Sequence, residues 1–239
     1  MTTTTATEDA GQLTGGPSPI RMPGETFGEF AQRLNAWLET PRGMDYAAAE
    51  QRHRTAEIAR YHAERKLRLA GDMGIPERFR YMGDLANVPI DTAAMRVVKR
   101  PPGEMLVLSG GTGCGKTAAA CWWLYQSPGD SDKPQSLFIT GARLSRMSRF
   151  DEEAMAAVFG AHRLVIDDLA MEYADEKGFF RSLLDEIVNE RYANQRQTLI
   201  TTNVDVDTFK TRCGERITDR IREAGQFVSL SNPSLRGQG

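Results

Sequence analysis

From residue 74 onwards the sequence predicts an α/β domain, in which helices cover a central parallel sheet. Three observations predict it. Short β-rich runs alternate with helical segments, several runs are apolar nearly throughout (LVL, LVI and LIT), and one run leads through a glycine-rich loop into a helix. Strands buried on both faces have this continuous apolar character. The expected strands are 105–109, 136–140, 163–167, 198–202 and 227–230.

The composition is that of a folded protein. Hydrophobic residues make up 40% of the 239 residues and charged residues 26%, which excludes a wholly disordered or fibrous chain. The net charge of −2 means that any nucleic-acid binding must come from a local basic patch. The three cysteines, Cys114, Cys121 and Cys213, have the spacing of neither a zinc site nor a disulfide framework.

No segment has the character of a membrane span or a signal peptide. The longest uncharged apolar run, 118–125, is far shorter than the roughly 20 residues that a membrane helix needs. The first 20 residues are rich in Thr, Gly and Pro and lack an apolar segment. We therefore expect a cytoplasmic protein without a membrane partner.

The chain before residue 74 is expected to form a tail and a small helical region. Residues 1–24 have too little apolar content to fold, so they are interpreted as a mobile tail. Residues 25–73 are expected to be helical. Thr26 and Glu29 have the spacing of a capping box, and a first helix follows until Pro41. A second helix of mixed charge is expected over 45–70, ending at Gly71.

The first helix has a strongly apolar face. Its large apolar residues recur at helical spacing. They are Phe27, Phe30, Leu34, Trp37 and Leu38. This stripe either packs on the chain's own α/β domain or docks into a groove on a partner. We favour the partner, because a mobile tail is expected before this helix and a separate helix after it.

The glycine-rich loop matches the phosphate-binding template G-x-x-x-x-G-K-[ST], known as Walker A. Its residues are Gly110, Gly111, Thr112, Gly113, Cys114, Gly115, Lys116 and Thr117. Glycines let successive backbone N–H groups point at phosphates, and the following helix adds its positive N-terminus. Lys116 is expected to reach the β- and γ-phosphates, and the Thr117 hydroxyl to bind Mg²⁺. The loop therefore predicts ATP and Mg²⁺ as cofactors, with Cys114 facing away from the nucleotide.

Two further strands end in polar residues. The strand at 163–167 ends in Asp167 and is followed by Asp168, which matches a Walker B element. Asp167 is expected to hold Mg²⁺ through its water shell, and Asp168 to orient or deprotonate the attacking water. Asn203 follows the strand 198–202, where its amide can hold that water in line with the γ-phosphate.

The order of these motifs resembles the DnaC/IstB group of AAA+ ATPases. The resemblance includes two further segments. One is the upstream segment 74–80, and the other is Glu-Arg-x-x-Asp-Arg, which lies before the last strand and contains Arg216 and Arg220. The resemblance covers about residues 74–231 and implies a P-loop NTPase (AAA+) αβα sandwich over 74–239. Ile75 and Phe79 would then lie beside the adenine. Only 19 residues follow Arg220, so no C-terminal lid domain is expected, as in this group.

The resemblance also implies how the chain works. Arg220 would be an arginine finger acting on the ATP of a neighbouring subunit, with Arg216 at the same interface, because a guanidinium suits the charge on the transferring phosphoryl group. Contacts of this head-to-tail kind produce an ATP-dependent ring or an open spiral. Many members of the group carry Glu where this chain has Asp168, so slower hydrolysis is expected.

The same resemblance suggests partners. Arg143, Arg146 and Arg149, three residues apart and followed by Phe150, lie where relatives meet DNA, although a merely solvated face fits equally well. The leading hypothesis is a loader that assembles on a hexameric replicative helicase and single-stranded DNA and is released on hydrolysis. The alternatives are an IstB-like transposition helper acting on duplex DNA, and an adaptor in which ATP only switches binding.

Overall fold

A computed structural model describes residues 20–83, 92–126, 135–147, 151–169, 178–231 and 234. The chain divides into two compact units, Met1–His62 and Ala63–Gly239. The boundary between them falls inside a long helix, α2, which spans Pro41–Asp72. Residues 1–19 of the predicted tail, and the segment 127–134, for which the sequence predicts a surface loop, lie outside the described residues.

The larger unit is built on a parallel sheet of five strands. They are β1 Met105–Gly110, β2 Ser136–Thr140, β3 Arg163–Asp167, β4 Gln197–Thr202 and β5 Gly225–Leu230. Their order in the sheet is β2-β3-β4-β1-β5. All five predicted strands are confirmed, but β5 begins two residues earlier than expected. Gly225 pairs with Met105, and only glycine fits there because a Cβ would collide with the Met105 carbonyl oxygen.

Helices cover both faces of this sheet. In the larger unit they are α3 Ala93–Lys99, α4 Lys116–Tyr125, α5 Gly141–Ser145, α6 Glu152–Gly160, α7 Phe179–Ala193, α8 Val206–Cys213 and α9 Glu215–Ala224. A 3₁₀ segment, Glu77–Gly83, follows α2. In the parts of the chain that the structure describes, no helix is both long and apolar enough to cross a membrane.

The sheet separates two hydrophobic clusters. Successive side chains of β1 point to opposite faces, as the period of a strand requires. Met105 and Val107 pack with residues of α6, α7, α8 and α9, whereas Leu106 and Leu108 pack with residues of α3, α4 and the end of α2. The predicted three-layer αβα sandwich is therefore confirmed.

In the smaller unit, α1 spans Phe27–Leu38: it begins after Thr26 as predicted and ends three residues before Pro41, the expected end. The capping box is present, because the Glu29 amide donates to Thr26 Oγ1 (3.3 Å) and the Thr26 amide donates to Glu29 Oε2 (2.9 Å). No residue of this helix is fully buried, and Phe27 is 75% exposed. The apolar stripe predicted for α1 therefore keeps solvent-exposed surface.

Helix α2 starts four residues before the predicted residue 45, so that prediction was wrong. Pro41 was expected to end α1, which ends at Leu38 instead. Proline suits the first position of the next helix, because its missing N–H would have no partner there. Thr40 caps α2: its Oγ1 accepts from the Gly43 amide at 3.1 Å. Trp37 and Tyr46 meet edge to face across this corner, with ring centroids 5.3 Å apart.

The end of α2 was also predicted too early. The helix continues through Gly71 and ends at Asp72 with a Schellman motif. Its two bonds run from the Ile75 amide to the Ala70 carbonyl and from the Gly74 amide to the Gly71 carbonyl, each at 2.9 Å. Gly74 takes the left-handed position at φ +81, and a Cβ there would lie 2.6 Å from the Phe138 carbonyl oxygen. Gly74, and not Gly71, is the glycine that ends the helix.

One arginine of α7 ties the helices to the sheet. Arg191 is fully buried, and its described partners are a hydroxyl and carbonyl oxygens. The acceptors are Thr198 Oγ1 and the carbonyls of Val158, Phe159, Ala161 and Gln197. Burial lowers the pKa of Arg191 to about 9, which still leaves the guanidinium charged at neutral pH. Arg191 therefore donates hydrogen bonds both to carbonyl oxygens at the end of α6 and to oxygen atoms at the start of β4.

We expect Arg191→Met to reduce the free energy of unfolding by about 3 kcal/mol, because it leaves several buried carbonyls without donors. Urea unfolding of the purified chain measures this loss. The matched control is Arg212→Met on the exposed surface of α8, which should change stability by less than about 0.5 kcal/mol. Equal losses in the two variants would contradict a structural role specific to Arg191.

Candidate nucleotide-binding site

The strand order brings the predicted site residues to one edge of the sheet. Strand β4 lies between β1, which leads into the glycine-rich loop, and β3, which ends in Asp167. All pairings are parallel, so the carboxyl ends of these strands lie side by side. Ligands of open α/β sheets bind at this edge.

The loop after β1 has the backbone of a phosphate cradle. Gly113 and Gly115 have left-handed φ angles of +88 and +92, which favour glycine. A Cβ at Gly110 would lie 2.7 Å from the Leu230 carbonyl oxygen, whereas Gly111 faces open space. Helix α4 starts without a side-chain cap, so its first amides lack a side-chain acceptor. The loop thus presents N–H groups and a helix N-terminus to an anion.

Lys116 lies folded across this loop. Its Nζ donates to the carbonyls of Gly110 at 2.7 Å and Gly111 at 2.9 Å and lies 3.7 Å from Cys114 Sγ. Cys114 itself is 2% exposed and packs in the cluster with α4. Among the described residues, the hydrogen-bond acceptors of this ammonium are neutral, and a phosphate would offer it a stronger charge-assisted bond.

Asp167 is held by two hydroxyl groups. Thr201 Oγ1 donates to its Oδ1 at 2.7 Å, and Thr117 Oγ1 donates to its Oδ2 at 3.2 Å. Burial raises the pKa of Asp167, and these two hydrogen bonds act in the opposite direction by stabilising the carboxylate. Thr117, at the start of α4, and Asp167, at the end of β3, are therefore in contact.

Thr201 was not among the predicted site residues. Its Oγ1 also accepts from the Asp168 amide at 2.8 Å, so this single hydroxyl orients both members of the acidic pair. Asp168 has a left-handed φ of +51 and an exposed position. Asp is among the residues that tolerate this conformation, which is common at functional sites. The turn after β3 thus separates a buried carboxylate from an exposed one.

Asn203 directly follows β4 and is exposed at the same edge. The turn that carries it is fixed to the neighbouring strand, because Ser109 Oγ donates to the Val204 carbonyl at 2.6 Å. Since β4 separates β1 from β3, Asn203 follows the strand between the two motifs that it was predicted to serve.

The two predicted interface arginines lie on α9 and share one carboxylate. Arg216 and Arg220 approach different oxygens of Asp185 on α7, at 3.6 Å and 3.4 Å. The side chain of Arg216 is 66% exposed, whereas that of Arg220 is 18% exposed. Asp185 was not predicted, because nothing in the sequence separates it from other surface carboxylates.

The structure describes both residues predicted to lie beside the adenine and some of those predicted to meet DNA. Ile75 is fully buried, so its side chain has no surface left for a base, while Phe79 is half-buried under the Arg78 guanidinium. Arg143 and Arg146 are exposed on or beside α5. This helix follows β2 directly and therefore begins at the carboxyl edge. Arg149 and Phe150 lie outside the described residues.

Comparison with solved structures agrees with this architecture. The crystal structure of the DnaC helicase loader matches with a TM-score of 0.50 and 21% identity, covering 65% of this chain and all (100%) of that chain. The chain has the P-loop fold of the DnaC helicase loader. The predicted resemblance to the DnaC/IstB group of AAA+ proteins is thereby confirmed as a likeness of fold.

Solved structures of DnaI and DnaA also match, with lower TM-scores. The crystal structure of DnaI matches with a TM-score of 0.46 and 20% identity over 66% of this chain and 93% of that one. AMPPCP-bound DnaA from Aquifex aeolicus matches with a TM-score of 0.45 and 14% identity over 57% of this chain and 44% of that one. No protein-family model and no curated protein matches the chain.

Proposed function

We propose that this protein is an ATPase that loads a hexameric replicative helicase onto single-stranded DNA. The observation that carries the ATPase proposal is the contact of Asp167 with both Thr117 and Thr201, beside a glycine-rich loop that leads into α4, a helix without a side-chain cap at its N-terminus. The loader role is supported by the DnaC-like fold and by the apolar stripe of α1, in which Phe27 is exposed and the other residues are partly exposed.

The loop residues fit the phosphates of ATP. Gly111 borders open space, the first amides of α4 have no side-chain cap, and Lys116 Nζ donates to the carbonyls of Gly110 and Gly111, which are neutral. Lys116 would exchange the loop carbonyls for the β- and γ-phosphates. Phe79, on the 3₁₀ segment that packs with α4, keeps the exposed surface that a base requires.

The residues at the ends of β3 and α4 also fit Mg²⁺. A hydroxyl and a carboxylate, Thr117 Oγ1 and Asp167 Oδ2, lie 3.2 Å apart, and oxygen donors are the ligands that Mg²⁺ prefers. The ion would neutralise charge on the phosphates when bound. Thr201 would keep Asp167 aimed at this position through its hydrogen bond to Oδ1.

Hydrolysis requires a water aligned with the γ-phosphate. Asp168, exposed at the turn after β3, would accept the proton of that water, and Asn203 would hold its orientation. The Asp168 side chain is one methylene shorter than Glu, so the hydrolysis step is expected to be slow. Arg220, with Arg216 beside it, would act on the ATP of the next subunit and make turnover depend on a ring or spiral.

DNA binding would use the exposed arginines Arg143 and Arg146. Gly141, which begins α5, lies against the turn after β3: a Cβ there would be 3.0 Å from the Asp168 carbonyl oxygen. Arginines at this edge would follow the phosphates of a single strand. Their position on a helix that contacts the Asp168 turn would let DNA influence hydrolysis.

The apolar stripe of α1 would bind the helicase. We expect Phe30→Asp to weaken the complex with the helicase about 30-fold or more, because it places a charge in a desolvated apolar contact. Basal ATP turnover should be unchanged. Pull-down and mass photometry with the helicase, together with the circular dichroism spectrum of the variant, measure these effects.

Gln32→Asp is the matched control for Phe30→Asp, since Gln32 is exposed on the opposite side of α1 by helical spacing. It should leave the complex intact. If Phe30→Asp unfolds the chain, or if both variants bind the helicase as the original chain does, the stripe is not a docking surface.

The loader role is tested by ATP turnover of the purified chain alone, with single-stranded DNA, with duplex DNA and with a replicative helicase, while particle mass is followed. Stable assembly with the helicase and stimulation by single strands are expected. Filaments and turnover that depend on duplex DNA, without helicase binding, would instead favour a transposition helper. Nucleotide binding without turnover would favour an adaptor.

A further inference from the structure

We propose that Asp185 is a positioning residue that holds Arg216 and Arg220 in the free chain and releases them to the ATP of a neighbouring subunit. This inference rests on the proposed function of these arginines. It assigns Asp185 the role of a latch: the carboxylate competes with the γ-phosphate for the same two guanidinium groups.

The contact lies between α7 and α9. The two arginines are one helical turn apart on α9, and each approaches a different oxygen of Asp185, at 3.6 Å and 3.4 Å. The apolar face of α9, including Ile217 and Ile221, packs in the core cluster that also contains α7. Because the two helices are fixed by this packing, the arginines and Asp185 face each other without adjustment of the backbone.

Arg220 is restrained more than Arg216. Its Cζ lies 5.9 Å from the centroid of the Tyr192 ring, and its side chain is 18% exposed. The Tyr192 ring is itself restrained, because it packs against the core cluster that contains residues of α7 and α9. An arginine in this position cannot reach across a subunit interface until it leaves Asp185 and Tyr192.

The charges determine when the arginines leave. One carboxylate faces two guanidinium groups, so the cluster keeps a net charge of about +1 that favours an approaching anion. Partly exposed ion pairs of this length are weak. The triphosphate of a neighbour carries more negative charge than Asp185 and would displace it, whereas an empty site would leave the arginines on α7. The latch therefore makes productive assembly depend on the nucleotide.

The test is Asp185→Asn, which keeps the shape of the side chain and removes its charge. We expect the protein concentration at half-maximal ATP turnover to fall about two- to fivefold, as loss of weak ion pairs implies. Nucleotide affinity of the dilute chain should not change. The difference between the two proteins should shrink at high salt, which screens partly exposed pairs.

Asp219→Asn is the matched control. Asp219 is an exposed carboxylate on α9 between the two arginines in sequence, and it approaches Arg222 at 4.0 Å. It should not shift the concentration dependence. A second measurement is independent of turnover: in the dilute chain, ¹⁵N relaxation of the arginine Nε–H groups should show Arg220 more mobile in Asp185→Asn than in the original chain.

The outcomes separate the latch from the proposed function. If turnover of the original chain does not depend on concentration, both the interface role of the arginines and the latch are overturned. If turnover does depend on concentration, two results of Asp185→Asn would overturn only the latch. One is an increase in the half-maximal concentration, and the other is no change in either the half-maximal concentration or the mobility of Arg220.

Discussion

Replacement of Lys116 by alanine is expected to weaken ATP binding by about 100-fold or more, which corresponds to loss of about 3 kcal/mol from a charge-assisted bond. The lysine ammonium is the mobile cation of the loop, bound in the free chain to the Gly110 and Gly111 carbonyls. Titration of a fluorescent ATP analogue into the dilute chain measures the effect directly. Turnover should be lost with the binding.

Lys99→Ala provides the matched control for this variant. Lys99 is an exposed lysine in the last turn of α3 and is not part of the glycine-rich loop, so its removal should leave affinity unchanged within about twofold. Unfolding midpoints exclude a general loss of structure. Unchanged ATP affinity in a folded Lys116→Ala variant would show that the loop after β1 does not hold the phosphates.

Arg220→Ala is expected to leave ATP binding intact and to lower turnover about a thousandfold or more, the range known for arginine fingers. The reason is geometric: Arg220 lies on α9 against Asp185 and Tyr192, whereas the chain's own phosphate loop follows β1. Steady-state turnover at high protein concentration, combined with equilibrium binding, separates the two properties.

Arg222→Ala, on the exposed side of the same helix, is the control for Arg220→Ala. It should retain turnover, because Arg222 pairs only weakly with Asp219 at 4.0 Å. If Arg220→Ala lost nucleotide binding as fully as Lys116→Ala does, Arg220 would belong to the chain's own site, and assignment of the finger to a neighbour would be wrong.

Local patterns predicted most of the sheet. Two strands, β2 and β3, have the predicted bounds because a strand buried on both faces is apolar throughout and ends where polar residues begin. The missed start of β5 has a specific cause. Gly225 belongs to the strand because a close approach to Met105 requires a residue without a side chain, and glycine is not a strand signal.

The ends of α2 show a second limit of sequence patterns. Pro41 both follows α1 and starts α2. A proline can indicate the end of one helix or the start of the next, and the prediction took it only as an end. Gly71 and Gly74 are both plausible helix terminators. The choice between them depends on the close contact of Gly74 with Phe138, which is 64 residues away in the sequence.

Some residues of the candidate site could likewise be predicted from local patterns, and others could not. The loop residues and the Asp pair are adjacent in sequence, so their patterns predicted them. Thr201 and Asp185 act through contacts between distant segments, with Asp167 and Asp168 on β3 and its turn, and with the arginines of α9. Strand order and helix packing bring these residues together, and neither is written in a local motif. For Thr201, the available sequence signal was a threonine near the end of a predicted strand. No comparable signal existed for Asp185.

Mixing two inactive variants is the most direct test of an ATPase site completed by a neighbouring subunit. Lys116→Ala offers an intact Arg220 but cannot hold ATP, and Arg220→Ala holds ATP but lacks the finger. If the finger acts on a neighbour, equal mixing should restore up to about a quarter of the original turnover, since about that share of interfaces would pair an intact loop with an intact arginine. A mixture that stays as inactive as each variant alone, although both assemble with the original chain, would contradict the proposed site.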